Sequence, residues 1–337
     1  MRDLSGETSD GAMKVAGTSE SDPVAPNGRG RSEHTWIALA IALGLIVRVG
    51  VALNSQVWLD EANSVLIALS PLSDFGAVFA PDSSPPLYYI VLKLWAFVAP
   101  IDPFWLRVPS ILFGVATIPV LWMVGRAMDR PETGVVAAWL VALHPLHVYY
   151  SEEIRMYSML VLLGLLFYYG LFHRLKEDGN SVPAILASIA LSYTHYYGLV
   201  LVGVGFTIAL LAYPTRRRAV AVAGAVVGIA FLPWVPVFIA QMNNPHHVAW
   251  IGSFWESYPK GWGVLRTAMA FVPGGMQYDY VPLSGSAPQH VLPVLVLGPF
   301  ALLVLRKEGR DFLARRWLPL GVAGAVLVVL AGWSYVS

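Results

Sequence analysis

The sequence predicts an all-α polytopic membrane protein with about nine transmembrane helices and interfacial helices in its first outer loop. Three observations predict this class. Hydrophobic residues make up 56% of the 337-residue chain, and mean hydropathy is +0.61. Charged residues make up only 13%, where soluble domains carry about 25%. Apolar runs close to the roughly 20 residues that cross a bilayer recur along the chain. The 12 tryptophans and 15 tyrosines suit two membrane interfaces, where amphipathic rings sit at headgroup depth.

Residues 1–34 are polar, rich in Ser, Gly, Asp and Glu, and read as a disordered cytoplasmic tail. They lack the basic-then-apolar layout of a cleavable signal peptide. Spans are expected at 36–53, 107–125, 134–149, 156–172, 182–198, 199–213, 219–240, 290–305 and 317–335. Basic clusters at Arg29/Arg31, Arg126/Arg130, Arg174/Lys176, Arg216–Arg218 and from Arg306 to Arg316 all fall on one side when these nine alternate. Positive residues mark the cytoplasmic side, so the N-terminus is expected inside. The run 85–99 is excluded as a span: it is short and carries Lys93 at its middle, where a charge at bilayer depth costs about 2.5–3.5 kcal/mol. It is expected to lie in the outer interface. Two large outer loops follow, at 54–106 and 241–289, within a transmembrane unit over 35–337.

Composition excludes several function classes. Cysteine is absent, which removes disulfides, thiolate metal sites and cysteine nucleophiles. No basic stripe interleaved with aromatics points to nucleic acid. No Walker loop, His-Glu-x-x-His or dinucleotide fingerprint is present.

The chemistry-bearing residues gather at the expected outer edge. Asp60-Glu61 follows the first span; mutual repulsion and desolvation raise one of two adjacent carboxyls, which suits a general base. The same pair also reads as a solvated start of an interfacial helix, with Asp60 as N-cap. Asp82-Ser83-Ser84-Pro85-Pro86-Leu87-Tyr88-Tyr89 reads as a capped helix start, with proline in the first turn. Between the third and fourth expected spans stands His144-Pro145-Leu146-His147-Val148-Tyr149-Tyr150-Ser151-Glu152-Glu153-Ile154-Arg155-Met156-Tyr157. Ionisable groups at membrane depth are functional candidates, and Arg155 could clamp a phosphate; the alternative is a local Glu–Arg anchor. Ser192-Tyr193-Thr194-His195-Tyr196-Tyr197-Gly198 forms another outer edge, where His195 could act as ligand, donor or acid/base. The loop containing His246-His247, Trp250 and Trp255 suits carbohydrate or an interface equally. Arg107 opens the second span and faces either a pocket or headgroups.

In order along residues 36–240, the acidic pair, the Pro-Pro-Leu-Tyr-Tyr helix, the Tyr-Ser-Glu-Glu-x-Arg-x-Tyr turn and the Thr-His-Tyr-Tyr-Gly edge resemble the GT-C membrane glycosyltransferases. The likeness is to the branch of the protein O-mannosyltransferases and lipid A aminoarabinose transferases. The resemblance implies a polyprenyl-phosphate-linked sugar donor, an outward-facing site in the plasma membrane and inversion at the anomeric carbon. It implies Asp60 as the base with Glu61 beside it, and Arg155 and Arg107 at the donor phosphate. Glu152, Glu153, Tyr157, His195, Tyr88 and His247 would line the substrate pocket. Glu152, Glu153 and His195 could also help hold a divalent metal, if one is used; no other cofactor is implied. Relatives often carry His or Glu before the Pro-Pro pair, where this chain has Ser84. They usually continue past the equivalent of Ser337, so this chain reads as a short or truncated member. The acceptor class, whether lipid, protein or polysaccharide, stays open. Two alternatives are a transporter or lipid flippase, whose repeated halves and midplane charges the sequence lacks, and a non-catalytic member of the same scaffold.

Overall fold

A computed structural model describes residues 27–244 apart from 75–77, 80–81 and 178. The expected spans at 290–305 and 317–335, most of the second outer loop and His247 lie outside the described residues. Every described element is helical.

Helix α1 (Asn27–Ala52) ends where its own sequence supplies caps. Asn54 Nδ2 donates to the Gly50 carbonyl (2.7 Å) and Ser55 Oγ to the Val51 carbonyl (3.0 Å), covering carbonyls that a helix end leaves open. Helix α2 (Leu59–Leu69) carries Asp60 and Glu61 in its first turn, where the helix dipole favours acids. Its other end is capped from a distance: Lys93 Nζ donates to the carbonyls of Ala68 (3.1 Å) and Ser70 (2.7 Å). Lys93 sits on α3 (Leu87–Ala96), whose 10 residues span about 15 Å, half of what a bilayer requires. The expected side-chain cap on α3 is not made. Its first N–H, from Leu87, is instead taken up by the Tyr193 carbonyl at 2.9 Å, so Asp82 is left for another use.

Helix α4 (Pro103–Ala127) starts on the Asp102 cap and tolerates Pro109 inside it. Proline cannot donate to the carbonyl four residues back, which here belongs to Trp105, and Trp95 Nε1 donates to that carbonyl instead (2.7 Å). Helices α4 and α5 (Pro131–Leu143) pack glycine to glycine: a Cβ on Gly125 would fall 2.4 Å from the Gly134 Cα. The span expected at 134–149 is broken at His144-Pro145, where α6 (Pro145–Glu152) begins. Pro145 has no N–H for the Val141 carbonyl. Arg48, fully buried on α1, fills the gap, with Nη2 to Val141 O (3.2 Å) and Nη1 to Ala142 O (2.9 Å) and Gly44 O (2.8 Å). The break expected near 150–155 is also present: α6 meets α7 (Tyr157–Tyr169, continued as a π-turn through Arg174) at a 116° bend. Helix α8 (Val182–Ser192), α9 (Tyr196–Ala212), α10 (Arg217–Phe231) and α11 (Val235–Met242) complete the bundle.

Among the described residues, three helices are long and apolar enough to cross a membrane: Ser32–Ala52, Pro103–Ala127 and Pro214–Met242. Counting the bent α6–α7 pair as one span makes four. Seven of the nine expected spans fall on described residues, and not all seven appear there as helices of spanning length. The segments expected at 134–149 and 182–198 are split by Pro145 and by the turn at 193–195, leaving helices of 13 and 11 residues.

Contacts sort the helix ends into two groups. At one end, Arg107 meets the end of α1, Leu87 meets Tyr193, and Gln241 reaches Phe79. At the other, Trp122 meets Glu33 and Gly179 lies against Arg216. The first end rests on a buried apolar floor of Ile67, Phe79, Leu92, Leu106, Ile154 and Met156.

Arg48→Met should lower thermal stability in detergent by about 2–4 kcal/mol, because buried carbonyls lose their donors. An unchanged unfolding midpoint would show that the Val141 and Ala142 carbonyls find other partners.

Candidate active site

At the first end, the site is built around a buried ion pair. Arg107 and Glu61 are 2% and 1% exposed. Arg107 Nε and Nη2 donate to the two Glu61 oxygens, both at 3.0 Å. Its remaining donors go to the carbonyls of Ala52 (2.9 Å), Ser55 (2.9 Å) and Gln56 (3.1 Å). A guanidinium has five N–H groups, and all five are used within the protein. Glu61 accepts in addition from the backbone N–H of Ile154 (2.9 Å) and of Trp58 (3.3 Å). Expected as a catalytic carboxylate and a phosphate clamp, Glu61 and Arg107 instead join the end of α1, the start of α2, α4 and the bend before α7.

This junction sets the distance between Asp60 and Arg155. Asp60 precedes Glu61 and Arg155 follows Ile154, so fixing Glu61 to Ile154 brings their neighbours together. Arg155 Nη2 lies 4.0 Å from Asp60 Oδ2, and the Asp60 side chain stays 42% exposed. Arg155 Nη1 donates to Ser64 Oγ (3.2 Å), which itself donates to the Asp60 carbonyl (2.9 Å). The guanidinium also stands over the Tyr157 ring, 5.7 Å from its centroid. Its Nε is buried and unpartnered. Burial pulls the Arg155 pKa down, but Tyr89, Tyr157 and Asp60 outweigh it and hold the group above its usual range. Arg155 is thus a permanent cation facing the one exposed carboxylate of the acidic pair.

Tyr88 does not line this site. It is fully buried and hydrogen-bonded to Ser110 Oγ (2.8 Å), which donates to the Arg155 carbonyl (3.0 Å). It supports Arg155 from behind. The next residue, Tyr89, faces Asp82 and Arg155. Asp82, read from sequence as part of a cap, is 6% exposed with Oδ2 unpartnered. Burial raises its pKa against the pull of Tyr89, the Ser83 and Ser84 N–H groups and Arg155.

Glu152 and Glu153 are 5% and 4% exposed. Neither Glu153 oxygen makes a hydrogen bond of ordinary geometry. Burial pushes Glu153 up to about 7, helped by Glu61 and Glu152 and opposed by Tyr149 and Arg155. His195 caps α9 by accepting the Tyr197 N–H on Nδ1 (3.1 Å), so the neutral ring carries its proton on Nε2. Burial and the Arg155 charge push His195 down to about 4, and it stays neutral at physiological pH. Its ring lies 6.3 Å from that of Tyr157. Asp60, Glu152, Glu153, Arg155, Tyr157 and His195 therefore belong to one end of the bundle. Among the described residues, no three His, Asp or Glu side chains are grouped to hold a metal ion.

Residues 83–239 match the family of dolichyl-phosphate-mannose-protein mannosyltransferases, membrane glycosyltransferases. The match includes Arg107, Arg155 and His195 and begins beyond Asp60, which the ion pair carries back onto the matched part. No curated protein and no solved structure matches the chain.

Replacing either partner alone, as in Glu61→Leu or Arg107→Met, should cost about 3–5 kcal/mol of stability by stranding a buried charge; thermal unfolding in detergent measures it. Glu153 adds a pH dependence. Its folded pKa of about 7 exceeds the ordinary 4.5, so the folded state binds the proton more tightly. Its contribution to stability should be fullest below pH 4.5 and fall by about 3 kcal/mol as pH rises through 7. Glu153→Gln should flatten that slope; an unaltered slope would assign it to another group.

Proposed function

We propose that this chain moves a sugar from a polyprenyl-phosphate-linked donor to an acceptor hydroxyl, a reading supported by the match of residues 83–239 to the dolichyl-phosphate-mannose-protein mannosyltransferase family. Asp60 is the general base. The observation that carries this reading is the exposed Asp60 carboxylate 4.0 Å from the buried, multiply supported Arg155 guanidinium.

Asp60 takes the acceptor's hydroxyl proton as the acceptor oxygen attacks the anomeric carbon. The bond from that carbon to the phosphate oxygen breaks, and polyprenyl phosphate leaves with the bonding electrons. Arg155 neutralises the charge that builds on the phosphate, and placing a fixed cation where charge develops is an effective form of catalysis. A phosphate held by Arg155 also competes with Asp60 for the guanidinium. Glu61 and Arg107 position the two groups, and His195 offers a neutral Nε2–H donor beside Tyr157.

An extracytoplasmic site in the plasma membrane is supported by the distribution of charge. Arg126, Arg130, Arg174 and Arg216–Arg218 belong to the loops of the opposite end of the bundle, as expected of a cytoplasmic side. The acceptor is a lipid, protein or polysaccharide hydroxyl.

Asp60→Asn should reduce transfer from labelled polyprenyl-phosphate-mannose by about 10²–10⁴-fold, with expression and membrane insertion unchanged. Wild-type turnover by this variant would end the proposal.

A further inference from the structure

The end of the bundle away from the candidate active site carries a cavity of about 570 Å³ that the transfer chemistry does not use. The end of α4 lines it with Trp122, Arg126 and Asp129; the end of α7 and the turn after it add Tyr169, His173 and Glu177. Both helix ends are irregular where they meet it. Helix α4 closes with the Arg130 N–H on the Gly125 carbonyl (2.9 Å) and the Asp129 N–H on the Arg126 carbonyl (3.0 Å). This closure makes the residue at 129 left-handed, a place that usually takes glycine, yet Asp129 occupies it with φ at 55°. The aspartate costs backbone energy that a glycine would not, and it keeps a carboxylate at the cavity. Helix α7 loosens into a π-turn over Gly170–Arg174, a rare form found often at functional sites. Tyr169 and His173 stack there, with ring centroids 5.1 Å apart.

The cavity holds open charges of both signs. The Arg126 guanidinium stands over the Trp122 ring, 5.1 Å from its centroid. Trp122 is itself fixed by α1: its Nε1 donates to Glu33 (3.3 Å), and the His34 ring packs edge-on at 5.1 Å. Arg126 and Asp129 are three residues apart, but no ion pair joins them. Among the described residues, neither side chain has a hydrogen-bond partner. A cation and a carboxylate thus share one cavity without neutralising each other.

We propose that this cavity binds the headgroup of a phosphoethanolamine lipid, its phosphate on Arg126 and its ammonium on Asp129. Arginine matches phosphate oxygens in a bidentate way. A primary ammonium brings three N–H donors for a carboxylate, and aromatic faces such as Tyr169 attract a cation. With Glu177 in the lining as well, a purely anionic headgroup is matched less well than a zwitterion. A choline headgroup has the same charges but no N–H to donate. The location favours a lipid over a free phosphate ester. Arg126, Arg130 and Arg174 stand at this end of the bundle, and basic residues with interfacial tryptophan and tyrosine mark the cytoplasmic headgroup layer. This inference needs the membrane class of the chain and is independent of the glycosyltransferase reading.

Native mass spectrometry of the full chain, released from nanodiscs with equal phosphatidylethanolamine, phosphatidylcholine and phosphatidylglycerol, counts the lipid retained. Wild type should retain phosphatidylethanolamine about tenfold over either of the others, as a hydrogen bond between charged groups allows. Asp129→Gly removes the carboxylate and the backbone strain together. Its unfolding midpoint should hold or rise while the preference over phosphatidylcholine falls several-fold. Arg126→Gln should lower retention of all three lipids. Equal retention of the three by wild type, or an unchanged preference in both variants, would overturn the proposal. Displacement of the lipid by equimolar glycerophosphoethanolamine would assign the cavity to a soluble ligand and overturn the lipid assignment.

Discussion

The buried pair of Glu61 and Arg107 fixes the rest of the site. Two charges out of water are expensive unless every donor and acceptor is matched, and here the matching is complete on the arginine. The arginine's partners come from the end of α1, the connection to α2 and α2 itself, and Glu61 adds the bend before α7. Glu61 thereby ties the 58–61 segment to the backbone of Ile154, and the Asp60–Arg155 contact and Ser64 add to that link. The residues beside these anchors, Asp60 next to Glu61 and Arg155 next to Ile154, are placed by adjacency. Glu61 is buried while its neighbour Asp60 stays exposed.

A second constraint comes from the membrane. Backbone groups in hydrocarbon must be satisfied within the protein, yet this bundle is interrupted by proline at points where the site needs a turn. Arg48 supplies the donors that Pro145 withholds from Val141, and Trp95 supplies the one that Pro109 withholds from Trp105. The interruptions thereby become usable: the break at Pro145 and the bend after Glu152 let a short helix bring Glu152, Glu153 and Arg155 to one end of the bundle. Lys93 does similar work by capping α2 from α3.

In the proposed chemistry, an exposed carboxylate and a braced guanidinium divide the labour, and burial raises the pKa of Glu153 nearby. Glu153 at about 7 and neutral His195 keep the pocket from carrying full charge. A donor phosphate would meet a single strong cation, Arg155, because Arg107 is fully engaged. That distinction separates binding from positioning among residues that look alike in a sequence.

The sequence by itself determined the helical membrane class, the end of the bundle that carries the acids, and the family likeness, because apolar run length and charge placement are local properties. It also excluded α3 as a span, through Lys93 and a run too short to cross. It could not separate Asp60 from Glu61 or Arg107 from Arg155, since the members of each set have the same chemistry and differ in burial or in the partners that engage them. Nor could it show that Tyr88 is buried behind Arg155, or that the Tyr193 carbonyl takes the first N–H of α3. Those choices depend on partners far apart in the chain, and only tertiary packing brings them within hydrogen-bonding distance.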